Sequence, residues 1–263
     1  QFKDKTAVND VNLTLTPGGA VAVMLIRSDM NPWVSLIFAF AAGMLAGMVT
    51  GLLHTKLGIP PILAGILTQI ALYSINLNIM GCSNVAVSVD QYPLVVSLRY
   101  IPKTIATIAI FLVIIIAVLY WFFGTELGFT IRSTGCNPNM SRAQGVNTNK
   151  AKLAALIISN GLVGLCGGLY AQYQGNADVN MGRGAIVIGL AAVIIGEAIF
   201  GKIFRNFALR LLSVAFGSIL YYLVLQTVIW MGIDTDLLKM LSALVVAVFL
   251  AVPYWKAKYF SKP

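Results

Sequence analysis

The sequence predicts an all-α fold: a polytopic transmembrane bundle of about seven full spans, a short or broken N-terminal helix, and a capped helix in a loop on one membrane face. Three observations carry this. Hydrophobic residues make up 59% of the 263 and charged residues only 10%. A soluble domain carries about 25% charged residues, so there is too little polar side chain here to coat a globule in water. The mean hydropathy of +0.86 agrees. Apolar runs of membrane length recur, and Lys and Arg gather on alternate loops between them. The surplus of 18 Lys and Arg over 9 acids therefore reads as membrane topology. Nucleic-acid binding is disfavoured, because the positive charges lie between apolar runs and not along one polar face.

A membrane helix needs about 20 mostly apolar residues. Seven runs qualify or come close: residues 33–53, 60–80, 104–124, 150–172, 184–200, 207–230 and 237–254. An eighth, residues 19–26, would rise only about 12 Å as a helix and cannot span alone. It reads either as half of a broken helix or as the remnant of a longer run. Gly43, Gly47 and Gly51, and likewise Gly164 and Gly168, recur at four-residue spacing, which lets helix backbones approach closely in lipid. Cys82, Cys136 and Cys166 fall in one loop, another loop and a span, so no disulfide is expected, and none has metal-ligand spacing.

Orientation follows the positive charges. Counting alternate loops back from the C-terminus, one side holds Lys56, Arg132, Arg142, Lys150, Lys152, Lys202, Arg205, Arg210, Lys256, Lys258 and Lys262. The other holds only Arg27, Arg99, Lys103, Arg183 and Lys239, together with Asp29, Asp90, Asp178, Asp234 and Asp236. The loop at 124–150 and the C-terminus are thus expected in the cytoplasm. That loop carries its own start and stop signals: Asn137 caps a short helix, Pro138 fits its first turn, and Gly145 fits a left-handed stop. A capped helix held between two spans is a handle by which a second protein could move them.

The residues of this loop and its sequel are also distinctive as a set. Leu127-Gly-Phe-Thr-Ile-Arg-Ser-Thr-Gly-Cys-Asn-Pro-Asn-Met-Ser-Arg-Ala-Gln-Gly-Val-Asn-Thr, then Lys152-Leu-Ala, then Gly161-Leu-Val-Gly-Leu-Cys-Gly-Gly-Leu-Tyr-Ala resemble permease subunits of bacterial ABC importers, in the group containing the branched-chain amino-acid and ribose permeases. Met140 and Ser141 stand where that family often has small residues. Gly51-Leu-Leu-His-Thr-Lys-Leu-Gly-Ile-Pro-Pro-Ile-Leu-Ala-Gly-Ile-Leu-Thr and Ile194-Ile-Gly-Glu-Ala-Ile-Phe-Gly are similar to a tryptophan/tyrosine transport subgroup. The resemblance covers roughly residues 18–255, taken as the permease domain, with 256–263 as a basic cytoplasmic tail.

It implies a multi-pass protein of the bacterial cell membrane, surrounded by lipid and needing no cofactor. Its implied partners are a separate ABC ATP-binding subunit, a second permease copy (a homodimer) and an extracytoplasmic solute-binding protein. The implied cargo is a small polar solute, with an aromatic amino acid as first choice. Residues 1–17 resemble the first two strands of an ABC ATPase and equally a divergent permease start. Relative to the family, the first transmembrane helix is expected to be missing. No Gly-x-x-x-x-Gly-Lys-Ser/Thr loop occurs anywhere in the sequence, so the chain is not expected to hydrolyse ATP itself.

Within this frame Arg132, Asn137, Pro138, Met140, Arg142 and Gly145 are the expected ATPase-coupling residues, and positive-inside anchoring is the simpler role for the two arginines. On the second span Gly65, Gln69, Tyr73 and Asn76 recur at helical spacing, and Ser159 and Asn160 lie mid-span in another. They could line a translocation path or merely join helices by hydrogen bonds, and both readings stand. Loop 81–103, with Pro93 and Pro102, could be a lip for the binding protein or an ordinary lid. Glu197 is expected to pair with Lys202 or Arg205, and His54 to sit at a solvated interface. Ionisable groups are scarce at mid-membrane, which disfavours the main alternative, an ion-coupled secondary carrier or channel. It disfavours a membrane-embedded enzyme as well.

Overall fold

Helices form where the apolar runs lie, and capping groups or prolines set several of their ends. The computed structural model describes residues 15–88, 91–182, 185–201 and 206–230, with residues 240, 244 and 247. Two units separate, one ending at Arg183 and one beginning at Gly184. The first contains α1 (Leu15–Arg27), α2 (Pro32–Thr55), α3 (Pro61–Met80), β1 (Asn84–Ala86), α4 (Ile101–Phe123), α5 (Glu126–Cys136), α6 (Pro138–Ala143), α7 (Thr148–Gln174) and β2 (Asn176–Asp178). The second contains α8 (Ala185–Phe200) and α9 (Phe207–Trp230).

Five of the described helices (α2, α3, α4, α7 and α9) are long and apolar enough to cross a membrane. The other two expected runs, 184–200 and 237–254, are not among these five. Helix α8 has 16 residues and rises about 24 Å, short of a hydrocarbon core of about 30 Å. The run at 237–254 lies outside the described residues except at 240, 244 and 247. The tail 256–263, the opening segment up to residue 14, and Lys202 and Arg205 also lie outside them. Glu197 itself is exposed.

Alongside the helices of the expected all-α fold lies a short two-stranded ladder. β1 and β2 pair antiparallel, Asn84 opposite Asp178, Val85 opposite Ala177 and Ala86 opposite Asn176. Each strand has three residues, too few for any alternation to show in sequence. In this two-stranded ladder Val85 and Ala177 join Ala20, Val23, Ile26, Met80 and Ala171 in a buried apolar cluster.

Helix α1 is longer than the expected 19–26, at 13 residues, and Ala20, Ala22, Val23 and Ile26 on it are fully buried. A helix too short to span is tolerated at membrane depth when protein surrounds it. It packs on α7 and α2. Helices α2 and α7 themselves approach at glycines. A Cβ built on Gly43 of α2 would fall on the Asn160 carbonyl, and one on Gly164 of α7 would lie 3.0 Å from the Gly43 Cα. Each backbone thus occupies the volume a side chain would need on the other.

Gln172, near the end of α7, is the polar pin of this unit. It is 1% exposed. Its Oε1 accepts from the Val95 amide at 3.1 Å, and its Nε2 donates to the Pro32 carbonyl at 3.3 Å and to Ser35 Oγ at 3.4 Å. One amide therefore ties the 91–100 loop, the start of α2 and the end of α7 together. In the second unit α8 crosses α9 at glycines again: Gly196 meets the Ser213 carbonyl and Gly217 meets the Ala192 carbonyl. Ile195 and Tyr221 are buried beside this crossing. The three cysteines are free thiols.

Candidate functional site

The polar segment between α4 and α7 folds as a two-helix elbow. At its start Thr125 donates from Oγ1 to the Phe122 carbonyl (2.6 Å) and accepts from the Gly128 amide (3.4 Å). Glu126 sits in the first turn of α5, where the helix dipole favours a negative charge. Gly128 lies so close to the Phe122 and Phe123 backbone that any side chain there would collide with it. Helix α5 therefore folds back sharply from the end of α4, and it packs on α7.

Asn137 ends α5 and begins α6. Its amide donates to the Ser133 carbonyl at 3.0 Å. Its side-chain Oδ1 accepts from the Asn139 and Met140 amides, both at 3.1 Å. Pro138 occupies the first helical position, where no N–H is needed. Helix α6 closes at Gly145, whose φ of +82° is a left-handed conformation that an L side chain adopts only at a cost. The Val146 amide donates back to the Ser141 carbonyl at 3.0 Å. Asn147 then caps α7 through the Lys150 amide at 3.2 Å.

One side-chain bond joins the two helices directly: Arg142 Nε donates to Thr148 Oγ1 at 2.9 Å. Two residues, Gln144 and Gly145, turn the chain between α6 and the approach to α7, and both have bonded amides. On the elbow Met140 (59% exposed), Leu127 (66%) and Phe129 (69%) are exposed apolar residues, and Arg132 and Arg142 are exposed cations.

The six expected coupling residues, Arg132 to Gly145, thus lie together on this one elbow. The expected path residues do not come together. On α3 Gly65 and Asn76 are buried, whereas Gln69 and Tyr73 are not. Both are exposed, Tyr73 by 41%. Asn76 is 1% exposed, and neither of its amide atoms has a hydrogen-bond partner. Asn160 donates from Nδ2 to the Leu156 carbonyl of its own helix (2.9 Å), and Ser159 donates to the same carbonyl at 3.2 Å. Asn160 lies against Gly47, within the α2–α7 packing. His54 Nδ1 lies 2.9 Å from the Ile59 carbonyl, as donor in the tautomer protonated there.

Sequence reasoning missed α5 and the contributions of Thr125, Thr148, Leu127 and Phe129. A capping hydroxyl followed by an acid, Thr125-Glu126, was the readable signal for α5.

A family model described as the branched-chain amino acid transport system permease component matches residues 11–252. A tyrosine transport system permease protein of Clostridioides difficile is 36% identical over 236 residues, covering 90% of this chain and 78% of that protein. A nucleoside ABC transporter permease protein of Lactococcus lactis is 28% identical over 205 residues, covering 73% and 63%. A ribose import permease protein of Escherichia coli is 24% identical over 181 residues, covering 68% and 56%. No solved structure matches significantly.

Proposed function

The chain belongs to the permease-component family of branched-chain amino acid transport systems, and on that premise we propose that it imports an amino acid, with an aromatic one as the leading candidate. It is a multi-pass membrane permease of an ABC transporter, and its family implies an ATP-binding subunit and a solute-binding protein. The elbow end faces the cytoplasm, in keeping with the clustering of Arg132, Arg142, Lys150 and Lys152 there. The ATPase grips the elbow around Met140, and its nucleotide-driven closure pushes α6. Two copies of this chain enclose the path between them in the bacterial cell membrane. Among relatives, the tyrosine permease supports the amino-acid assignment.

The observation that carries this reading is the bonded junction between α6 and α7, above all Arg142 on Thr148. It links the exposed handle to the longest described helix, 27 residues or about 40 Å. The test is Arg142→Glu combined with Gly145→Pro in the complete complex reconstituted in liposomes. Uptake of L-tyrosine and transport-linked ATP hydrolysis should both fall at least about tenfold, the equivalent of about 1.4 kcal/mol of lost coupling. Normal uptake in that double variant would refute the mechanism.

A further inference from the structure

At the opposite end of the first unit two adjoining clefts share Trp33 and Pro93 as a common wall. The more polar cleft, about 470 Å³, is lined by Asp29, Asn31, Gln91 and Tyr92 among others. The more apolar one, about 340 Å³, is lined by Ile110, Phe111 and Ile114, with Lys103 and Thr107 also in its wall. Trp33 is 55% exposed. Its ring stacks on Phe111 with centroids 5.8 Å apart and planes 14° from parallel, so an aromatic platform is already in place and one part of it is open.

The walls are built features. Gln172, buried, holds the Val95 amide of the apolar cleft and the Pro32 carbonyl beside the polar cleft on a single amide. Tyr92 donates to the Arg27 carbonyl at 3.5 Å. Asp29 stands at the turn that ends α1, where the Met30 amide donates back to the Leu25 carbonyl at 3.1 Å. Its φ is +59°, the left-handed conformation for which glycine is the usual choice. A carboxylate therefore sits where the backbone prefers no side chain, on the edge of a cleft with an aromatic wall.

We infer that these clefts form a receiving subsite for an aromatic amino acid, with the α-ammonium on Asp29 in the polar cleft and the ring laid across Trp33 into the apolar one. The inference rests on the amino-acid reading above and deepens it. The chemistry follows from the lining. A carboxylate with neighbouring amides selects a cationic head by charge-assisted hydrogen bonds, and the Trp33 face adds offset stacking and an attraction for the ammonium. An aliphatic side chain would gain neither ring contribution.

The test measures equilibrium binding of radiolabelled L-tyrosine to the full chain in lipid nanodiscs, without the ATPase or the binding protein. Tyramine, which keeps the ammonium, should compete. 3-(4-Hydroxyphenyl)propionate, which keeps the ring and carboxylate but lacks the ammonium, should not. Asp29→Asn retains a residue that tolerates the left-handed backbone and removes only the charge. It should weaken tyrosine about tenfold, and Trp33→Leu about fivefold. If hydroxyphenylpropionate competes as well as tyramine, or if both variants bind tyrosine normally, the subsite is refuted. Tyrosine uptake by the complete complex is measured alongside. Uptake with unaltered binding in both variants overturns the subsite and leaves the transport reading standing. Uptake of another solute and not of tyrosine defeats the aromatic amino-acid reading and the subsite with it. If Trp33→Leu weakens only docking of the solute-binding protein, the cleft is that protein's lip and the proposal fails.

Discussion

Helices α4 and α7 are both long enough to cross a membrane, yet they sit in opposite environments. One third of the central window of α7 is buried within the chain, against none of that of α4. The compositions run against intuition from soluble proteins. Helix α4 is the more apolar, Ile-Ala-Thr-Ile-Ala-Ile-Phe-Leu-Val-Ile-Ile-Ile from Ile105, and it is the exposed one. Helix α7 carries Asn160, Gly161, Gly164, Gly167, Gly168 and Gln172, and it is the packed one. Lipid is as apolar as leucine, so branched side chains gain nothing by leaving it. Backbone approach at small residues, and hydrogen bonds of amides, are what bring membrane helices together.

The strongest attempt to break this comparison is Gly164→Leu. The new side chain would enter the Ala39 carbonyl and the Gly43 backbone. We expect a loss of about 3 kcal/mol or more and a fall in Tm of roughly 10 °C in detergent-solubilised protein. A smaller loss, about 1–2 kcal/mol, is expected for Gln172→Leu, which leaves the part-buried Val95 amide without its acceptor. Thermal melts and hydrogen exchange across residues 91–100 would check it.

Asn76→Leu should act in the other direction. Its two amide atoms are buried without partners, so replacement should raise stability by about 1 kcal/mol. A simultaneous loss of uptake would mark Asn76 as a path residue, whereas unchanged uptake would remove it from the path. Asn137→Ala should cost about 1 kcal/mol through the lost cap. The effect should be local, seen as faster hydrogen exchange in α6. The smallest change is Val113→Leu on α4, at a residue 65% exposed, expected to stay within about 0.5 kcal/mol. A large effect there would mean that this face of α4 is packed against protein in the assembly.

What was legible in the sequence follows the same division. Helices α2, α3, α4, α7 and α9 were readable because membrane length is a long-range signal that small boundary errors do not disturb. The glycine spacing marked the α2–α7 contact, and the Asn137–Gly145 signals marked α6, because caps are chemical features of single residues. Helix α5 was not read, since its 11 residues mix Gly, Thr, Ser and Arg with no apolar stripe. The β1–β2 ladder escaped because three-residue strands carry no period and its two strands lie about ninety positions apart. On the expected path helix, the sequence spacing did not distinguish the buried Asn76 from the exposed Gln69 and Tyr73. Gln172 only marked the end of the expected 150–172 run, and its role arises from Pro32 and Val95, 140 and 77 positions away in sequence.

The claim at the centre of this account is that force from the ATPase enters through α6. The direct measurement is site-specific cross-linking from a Met140→Cys variant whose own Cys82, Cys136 and Cys166 are replaced by serine, within the complete transporter in native membranes. The account predicts a cross-link between Met140→Cys and the ATP-binding subunit whose yield changes with nucleotide, and protection of that thiol from membrane-impermeant reagents added outside intact cells. Labelling from the outside, or a cross-link to the solute-binding protein in place of the ATPase, would contradict it.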